Sequence, residues 1–140
     1  MILASGAERK ALLERTKTVA VVGASAKADR PSHGVFAYLR AHGYDAVPVS
    51  PTVTDVQGVK AYPTLTAYAA EHGAPDVVDV FRNPAEVLPI VDEAIAVGAK
   101  AIWFQLGVIN EEAIGRADKA GLDVVVDRCM KVDHRDLVSG

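Results

Sequence analysis

The stretch TVAVVGAS, residues 18–25, decides how the rest of this chain is interpreted. Four consecutive apolar residues predict a strand that is buried on both faces, as in a parallel sheet covered by helices. Gly23 lets the backbone turn where the strand ends and approach a ligand closely. Ser25 offers a hydroxyl group and a free amide where a following helix would begin, and helix N-termini favour anions such as phosphate. The stretch therefore predicts a strand–helix unit that receives a phosphorylated ligand.

Strands and helices alternate along the whole chain, which predicts an α/β fold with a Rossmann-like, doubly wound parallel sheet. We expect one three-layer domain over residues 1–140. The predicted strands are 19–22, 45–50, 76–81, 101–104 and 122–126, with at most a short edge strand at 58–63. The predicted helices are 7–15, a segment capped by Ser32 and ending at Gly43, and 64–72, 83–98 and 110–121. A charged tail is expected from Asp127 onward.

Composition narrows the functional classes. The net charge of −3 argues against nucleic-acid binding, because no basic excess is available to neutralise a phosphate backbone. No apolar run is long enough to span a membrane, and the N-terminus lacks the apolar core of a signal peptide. Cys129 is the single cysteine, so no intrachain disulfide forms. We therefore expect a cytoplasmic protein.

Basic residues gather where the predicted strands end. In an open parallel sheet these ends share one edge, and ligands bind there. The residues at this edge include Lys27, Arg30, Arg82, Arg128 and Lys131, in a chain that is acidic overall. This pattern favours an anionic ligand.

Two common nucleotide motifs are absent. After Gly23 no glycine follows until Gly34, so the dinucleotide pattern G-x-G-x-x-G is missing. The second strand ends in Ser50-Pro51, where a carboxylate for a ribose hydroxyl would be expected. The phosphate loop of nucleoside triphosphatases is absent as well. An NAD(P)-binding enzyme or redox sensor on the same fold stays as the alternative, and a module that binds only a protein partner is a third hypothesis.

Six short segments occur in the order of a known family: VGAS…RPS (22–32), GYDAVPVSP (43–51), GVKAYPTL (58–65), VVDVFRNP (77–84), GAKAIWFQLGVINEEA (98–113) and DRC (127–129). In these segments the chain resembles the small stand-alone proteins of the YccU-like CoA-binding-domain family. That family is similar to the N-terminal CoA-binding domain of the succinyl-CoA synthetase α subunit. The resemblance runs from about residue 18 to residue 137 and implies that the ligand is coenzyme A or an acyl-CoA.

The resemblance also implies roles for individual residues. Gly23, Ala24, Ser25 and Lys27 would meet the CoA diphosphate, and Arg30 or Arg82 would reach a ribose phosphate. The remaining contacts would be Val49, Ser50 and Pro51 on the adenosine side, Phe81, Arg82, Asn83 and Pro84 along one wall, and Trp103 and Gln105 at the far end. Relatives often have Asn-Pro where this chain has Ser50-Pro51.

No catalytic residue and no metal site are predicted. The four histidines lack metal-ligand spacing, and the second domain of the larger synthetases has no counterpart in these residues. Cys129 is interpreted as a small half-buried apolar residue, with a mixed disulfide to the CoA thiol as the sharper alternative. Asp76 and Asp79 are interpreted as structural and distant from the ligand edge. The resemblance thus implies CoA binding, and the residues predict no catalysis.

Overall fold

A five-stranded parallel sheet forms the centre of the protein in a computed structural model that describes residues 1–139. The strands of the chain are β1 Thr18–Val22, β2 Asp45–Val49, β3 Asp55–Val56, β4 Val59–Lys60, β5 Val77–Val80, β6 Ala101–Phe104 and β7 Asp123–Val126. The helices are α1 Gly6–Arg15, α2 Pro31–Ala41, α3 Leu65–His72, α4 Val87–Val97, α5 Glu111–Lys119 and α6 Met130–Asp133. The sheet has the order β2-β1-β5-β6-β7, and β3 and β4 form a separate antiparallel pair.

Strand order reverses beside β1. The chain passes from β1 through α2 to β2 on one side, and later returns to β5 on the other side of β1. In β1, Val19 pairs with Ala46 and Val77, and Val22 pairs with Val49 and Val80. A reversal of this kind opens a crevice at the carboxyl ends of the two flanking strands, because their connections leave in opposite directions.

Helices cover both faces of the sheet, which explains why the strands are apolar throughout. Leu13 of α1, Phe36 of α2 and Met130 of α6 pack on one face. Tyr68 of α3 and Val91 of α4 pack on the other, together with α5. The predicted α/β class and Rossmann-like parallel sheet are thus confirmed. Within residues 1–139, no helix combines the length and apolar character that crossing a membrane requires.

Four local details differ from the sequence prediction. Helix α2 begins at Pro31, with Arg30 at the N-cap, so Ser32 lies inside the helix and does not cap it. The segment after Asn83 starts with a 3-10 turn, Pro84–Glu86, before α4. A short β3–β4 hairpin replaces the single edge strand. The expected charged tail is helical, in α6 and a π-helical turn at His134–Val138, because buried Met130 and His134 anchor it to the core.

Candidate functional site

A large cavity lies at the carboxyl edge of the sheet, where strand order reverses. Its volume of about 840 Å³ is in the range of sites for small molecules and cofactors, roughly 300–1,000 Å³. It is lined by Gly23, Ala24, Ser25, Ala26, Lys27, Arg30, Pro31, Ser32, Val35, Ser50, Thr52, Val53, Phe81, Arg82, Gln105, Leu106, Val108 and Cys129. These residues come from the ends of all five strands of the sheet and from the first turns of α2.

The turn after β1 lies directly against the end of β5. Gly23 has a φ of +84° and donates its backbone N–H to the carbonyl of Val49 at 2.9 Å. A Cβ atom at position 23 would overlap the carbonyl oxygen of Phe81 and approach the side chain of Arg82 to 2.9 Å. Glycine is therefore required here both for the backbone conformation and for space. The close approach forms the floor of the cavity between β1 and β5.

The N-terminus of α2 borders the cavity without a capping side chain. Arg30, at the N-cap position, makes no side-chain hydrogen bond to the helix, and no acidic residue stands in the first turn. By contrast Ser5, Thr64 and Asn110 cap α1, α3 and α5 with their side chains. Pro31 has no N–H, and the His33 N–H donates to the Arg30 carbonyl oxygen at 3.0 Å. The Ser32 amide and the positive end of the α2 dipole are thus left for an anion.

Three cations line the cavity together with this helix end. Lys27 and Arg30 are exposed and form no ion pair with any carboxylate of residues 1–139, whereas Arg82 is paired with Glu86. The Lys27 backbone N–H donates to Ser25 Oγ at 3.1 Å, which fixes the loop after β1. An anionic ligand would gain charge-assisted bonds from all three side chains, at the cost of competing with Glu86 for Arg82.

The far end of the cavity, at β6 and β7, is uncharged and mostly apolar. Leu106 is 66% exposed at its rim, and Val108 and the half-buried Cys129 line it. Gln105 is buried there and donates from Nε2 to Asp79 Oδ1 at 2.5 Å. Burial raises the pKa of Asp79 to about 7, opposed by the Gln105 hydrogen bond. Asp79 was expected to lie away from the ligand edge, but cross-strand register brings it into contact with a residue of the cavity.

Most residues named from the sequence border this cavity, and five do not. Val49 and Trp103 are buried in the core, and Pro51 is exposed beside Ser50. Asn83 and Pro84 form the start of the 3-10 turn, where Asn83 Oδ1 accepts from the Ala85 backbone N–H at 3.0 Å. Those that border it are Gly23, Ala24, Ser25, Lys27, Arg30, Ser50, Phe81, Arg82 and Gln105.

Trp103 has a structural partner in place of a ligand contact. Its side chain is fully buried, and its Nε1 donates to the carbonyl oxygen of Arg128 at 2.8 Å. Trp103 lies in β6, two residues before Gln105, which directly follows the strand, and therefore points to the same face, one pleat deeper in the sheet. It ties the loop after β7 to β6 beneath the cavity.

Several lining residues were not named from the sequence. Val35 and Ser32 line the cavity from the first turns of α2, which begins two residues earlier than a helix capped by Ser32 would. Thr52 and Val53 follow the named Ser50 and Pro51 in a loop, and Leu106 and Val108 follow Gln105. Only their closeness in sequence to the named residues could have identified these four loop residues, since they form no distinctive motif.

Comparison with known proteins places these features in a family. The family model described as a CoA binding domain matches residues 17–135. The chain is 38% identical over 130 residues to YneT of Bacillus subtilis (strain 168), covering 93% of this chain and 94% of YneT. A solved structure of a Pyrococcus horikoshii OT3 protein superposes with a TM-score of 0.91 at 39% identity, covering 97% of this chain and 94% of that one.

A larger enzyme contains a similar unit. The dinucleotide-forming acetyl-coenzyme A synthetase 1 of Ca. Korarchaeum cryptofilum superposes with a TM-score of 0.66 at 26% identity. The similarity covers 77% of this chain but only 25% of the synthetase. The shared unit is therefore a fraction of that enzyme.

Proposed function

The chain belongs to the CoA binding domain family, and on that premise we propose that it binds coenzyme A in the cavity between β1 and β5. The pyrophosphate would lie at the turn formed by Gly23, Ala24 and Ser25 and at the N-terminus of α2. The adenosine would lie toward β2, near Ser50. The pantetheine arm would run along the sheet edge past Phe81 toward Gln105.

One observation carries this proposal: an uncapped helix N-terminus and three cations meet at a turn that only glycine can form. Coenzyme A carries three phosphate groups, and Lys27, Arg30 and Arg82 are three cations at the cavity. Backbone amides at a helix start bind a pyrophosphate without further charge. A side chain at position 23 would fill the space that the backbone and a phosphate need. The residues present therefore fit this ligand.

The chemistry of the residues that line the cavity favours CoA over a nicotinamide dinucleotide. Its uncharged β6–β7 end, with Leu106, Val108 and Cys129, matches an arm of amide and methylene groups. Ser50 stands where a carboxylate would hold the ribose of NAD. An NADP-binding protein is the remaining nucleotide candidate, and the titration below separates the two ligands.

We extend the proposal to binding without catalysis, in the cytoplasm. The ionisable side chains lining the cavity are Lys27, Arg30, Arg82 and Cys129, and no carboxylate or histidine lines it within residues 1–139 to serve as general base. The free thiol or thioester of the ligand would be held and released unchanged. CoA and acyl-CoA are both acceptable under this proposal.

Isothermal titration calorimetry with CoA, acetyl-CoA, NAD and NADP tests the proposal. We expect one CoA per chain, with NAD and NADP weaker by at least about a hundredfold, since neither offers the same phosphates and arm. Arg30→Ala should weaken CoA by roughly tenfold, because it removes a charge-assisted contact to phosphate. Arg15→Ala, at the opposite edge of the sheet, serves as the matched control and should leave affinity unchanged.

A second measurement addresses catalysis. Acetyl-CoA incubated with the protein should release free thiol no faster than in buffer alone. Tighter binding of NADP than of CoA would overturn the choice of ligand. Protein-dependent release of thiol would overturn the claim that the cavity only binds.

A further inference from the structure

Asp79 is an acidic residue in the core of the sheet. It lies in β5 between Val21 of β1 and Trp103 of β6, and its exposed fraction is zero. Its Oδ1 accepts one hydrogen bond, from Gln105 Nε2. Among the buried side-chain atoms of residues 1–139, Asp79 Oδ2 is the single nitrogen or oxygen without a hydrogen-bond partner. An unpaired buried carboxylate is costly and is therefore a candidate for a functional role.

No other ionisable group satisfies this carboxylate. Asp79 shares its face of the sheet with Val77, the face that α1, α2 and α6 cover. The buried or half-buried ionisable groups of these elements and of their adjoining turns are Glu8, Arg9, His33, Tyr38, Tyr44, Cys129, Lys131, Asp133 and His134. Arg9 is paired with Asp133 at 2.9 Å, and Tyr38 is hydrogen-bonded to His134 at 2.9 Å. None of them forms a hydrogen bond or ion pair with Asp79 within the described chain. Gln105 is therefore the side chain that hydrogen-bonds to Asp79, and its orientation depends on whether Asp79 is ionised.

Gln105 connects Asp79 to the cavity. It is 4% exposed, follows β6, and lines the cavity beside Leu106 and Cys129. Its Nε2 is directed at Asp79, so Oε1, on the other branch of the planar carboxamide, is turned away from Asp79. No donor within residues 1–139 bonds to Oε1. The cavity thus has a hydrogen-bond acceptor at its uncharged end.

We propose that Asp79 is a positioning residue, which orients Gln105 so that Oε1 accepts a hydrogen bond from an amide N–H of the pantetheine arm. This inference rests on the proposed binding of CoA. Neighbouring strands are about 4.8 Å apart, so β6 lies roughly 10 Å from β1 and its phosphate-binding turn. The pantetheine arm extends beyond the pyrophosphate and carries two amide groups. An amide N–H is the donor that the arm presents to an acceptor at this distance.

The protonation state of Asp79 decides which end of Gln105 faces the ligand. An ionised carboxylate only accepts, which holds the Gln105 NH2 group inward and Oε1 toward the arm. A protonated carboxyl group donates to Oε1, and the carboxamide then turns its NH2 group to the cavity. In that state the Gln105 NH2 group would face the amide N–H of the pantetheine arm, and two donors form no hydrogen bond with each other. Since burial brings the Asp79 pKa to about 7, CoA affinity should rise with pH across neutrality.

The test compares wild type with Asp79→Asn by calorimetry at about pH 6 and about pH 8, on either side of this pKa. Asparagine keeps the shape and an acceptor but does not titrate. Between about pH 8 and about pH 6, the CoA affinity of the wild type should fall roughly two- to tenfold relative to that of the variant. A loss of this size corresponds to one hydrogen bond. The titration of the CoA phosphates is common to both proteins and cancels in this ratio.

The ligand 3′,5′-ADP is the matched control because it keeps the adenosine with its 3′- and 5′-phosphates and lacks the arm together with the second phosphate of the pyrophosphate. It should bind wild type and variant equally at each pH. Gln105→Met, which preserves volume and removes hydrogen bonding, should weaken CoA roughly two- to tenfold and leave 3′,5′-ADP unchanged. This second variant tests the contact independently if Asp79→Asn folds poorly.

The outcomes separate the two proposals. If neither CoA nor 3′,5′-ADP binds, the proposed function is wrong. If CoA binds wild type and Asp79→Asn with the same pH profile, or if Gln105→Met binds CoA normally, CoA binding stands and the positioning role of Asp79 is overturned.

Discussion

Gly23 and Phe81 approach each other so closely that no side chain fits between them. The Cβ position of residue 23 lies well inside van der Waals contact distance of the Phe81 carbonyl oxygen, and the φ of Gly23 is +84°. This approach joins the ends of β1 and β5, the two strands at which strand order reverses. It shapes the part of the cavity that we assign to the pyrophosphate.

Gly23→Ala should destabilise the fold and abolish CoA binding. The added methyl group overlaps backbone, and the positive φ is unfavourable for alanine, so we expect a loss of roughly 1–3 kcal/mol in the free energy of unfolding. CoA affinity should fall at least about tenfold. Urea unfolding and calorimetry measure the two effects. Gly115→Ala is the control: it lies within α5 with no atom within 4 Å of its Cβ position, and should stabilise by roughly 0.5–1 kcal/mol.

Glu86→Gln should strengthen CoA binding. Glu86 is paired with Arg82 at the cavity, and neutralising it frees the guanidinium group for a phosphate. Because exposed ion pairs contribute roughly 0.2–1 kcal/mol, affinity should rise up to about fivefold at low salt. Asp123→Asn removes one negative charge at the start of β7, on the opposite edge of the sheet, and should have no effect. Equal changes in both variants would indicate a general charge effect.

Asp79→Asn should stabilise the protein at high pH. Burial raises the pKa of Asp79 in the folded state to about 7, above its unfolded value of about 3.9. The folded state therefore binds the extra proton, and wild-type stability falls as pH rises from about 4 to about 7. At about pH 8 the variant should be more stable by on the order of 2–4 kcal/mol, with little difference near pH 4. Urea unfolding at both values measures this, and a pH-independent difference would contradict it.

Asp76→Asn should show the opposite dependence on pH. Burial opposes ionisation of Asp76, but hydrogen bonds from the Lys17 and Thr18 amides hold its pKa below the usual range. This stabilisation is present above the unfolded pKa and is lost as pH falls through the folded value. The variant should therefore lose roughly 1–2 kcal/mol near pH 7 and nothing in strong acid. Destabilisation that persists in acid would indicate a role for shape alone.

Trp103→Phe should separate stability from binding. The indole is fully buried and donates to the Arg128 carbonyl oxygen, so its loss should cost roughly 1–3 kcal/mol of unfolding free energy. Trp103 does not line the cavity, and CoA affinity should change less than about twofold. Thermal unfolding and calorimetry on the same preparation measure both. A tenfold loss of CoA affinity at unchanged stability would place Trp103 at the ligand, as the family resemblance implies.

Local chemistry along the chain was enough to determine the fold and the edge of the sheet that holds the site. The apolar run of β1 predicted a strand covered on both faces because only helices on both sides make such a run favourable. The glycine at its end and the cations after neighbouring strands predicted the cavity edge, since parallel strands bring their carboxyl ends together. These inferences need only neighbouring residues and the direction of the strands.

Tertiary structure alone decided which strand-end residues reach the cavity and which stay in the core. Val49 is buried while the next residue, Ser50, lines the cavity, because successive side chains of a strand point to opposite faces. The contact between Asp79 and Gln105, which are 26 positions apart, depends on the register of β5 against β6, where Asp79 pairs with Trp103. Register is set by how both strands pack against the helices, and so the sequence around either residue does not contain it.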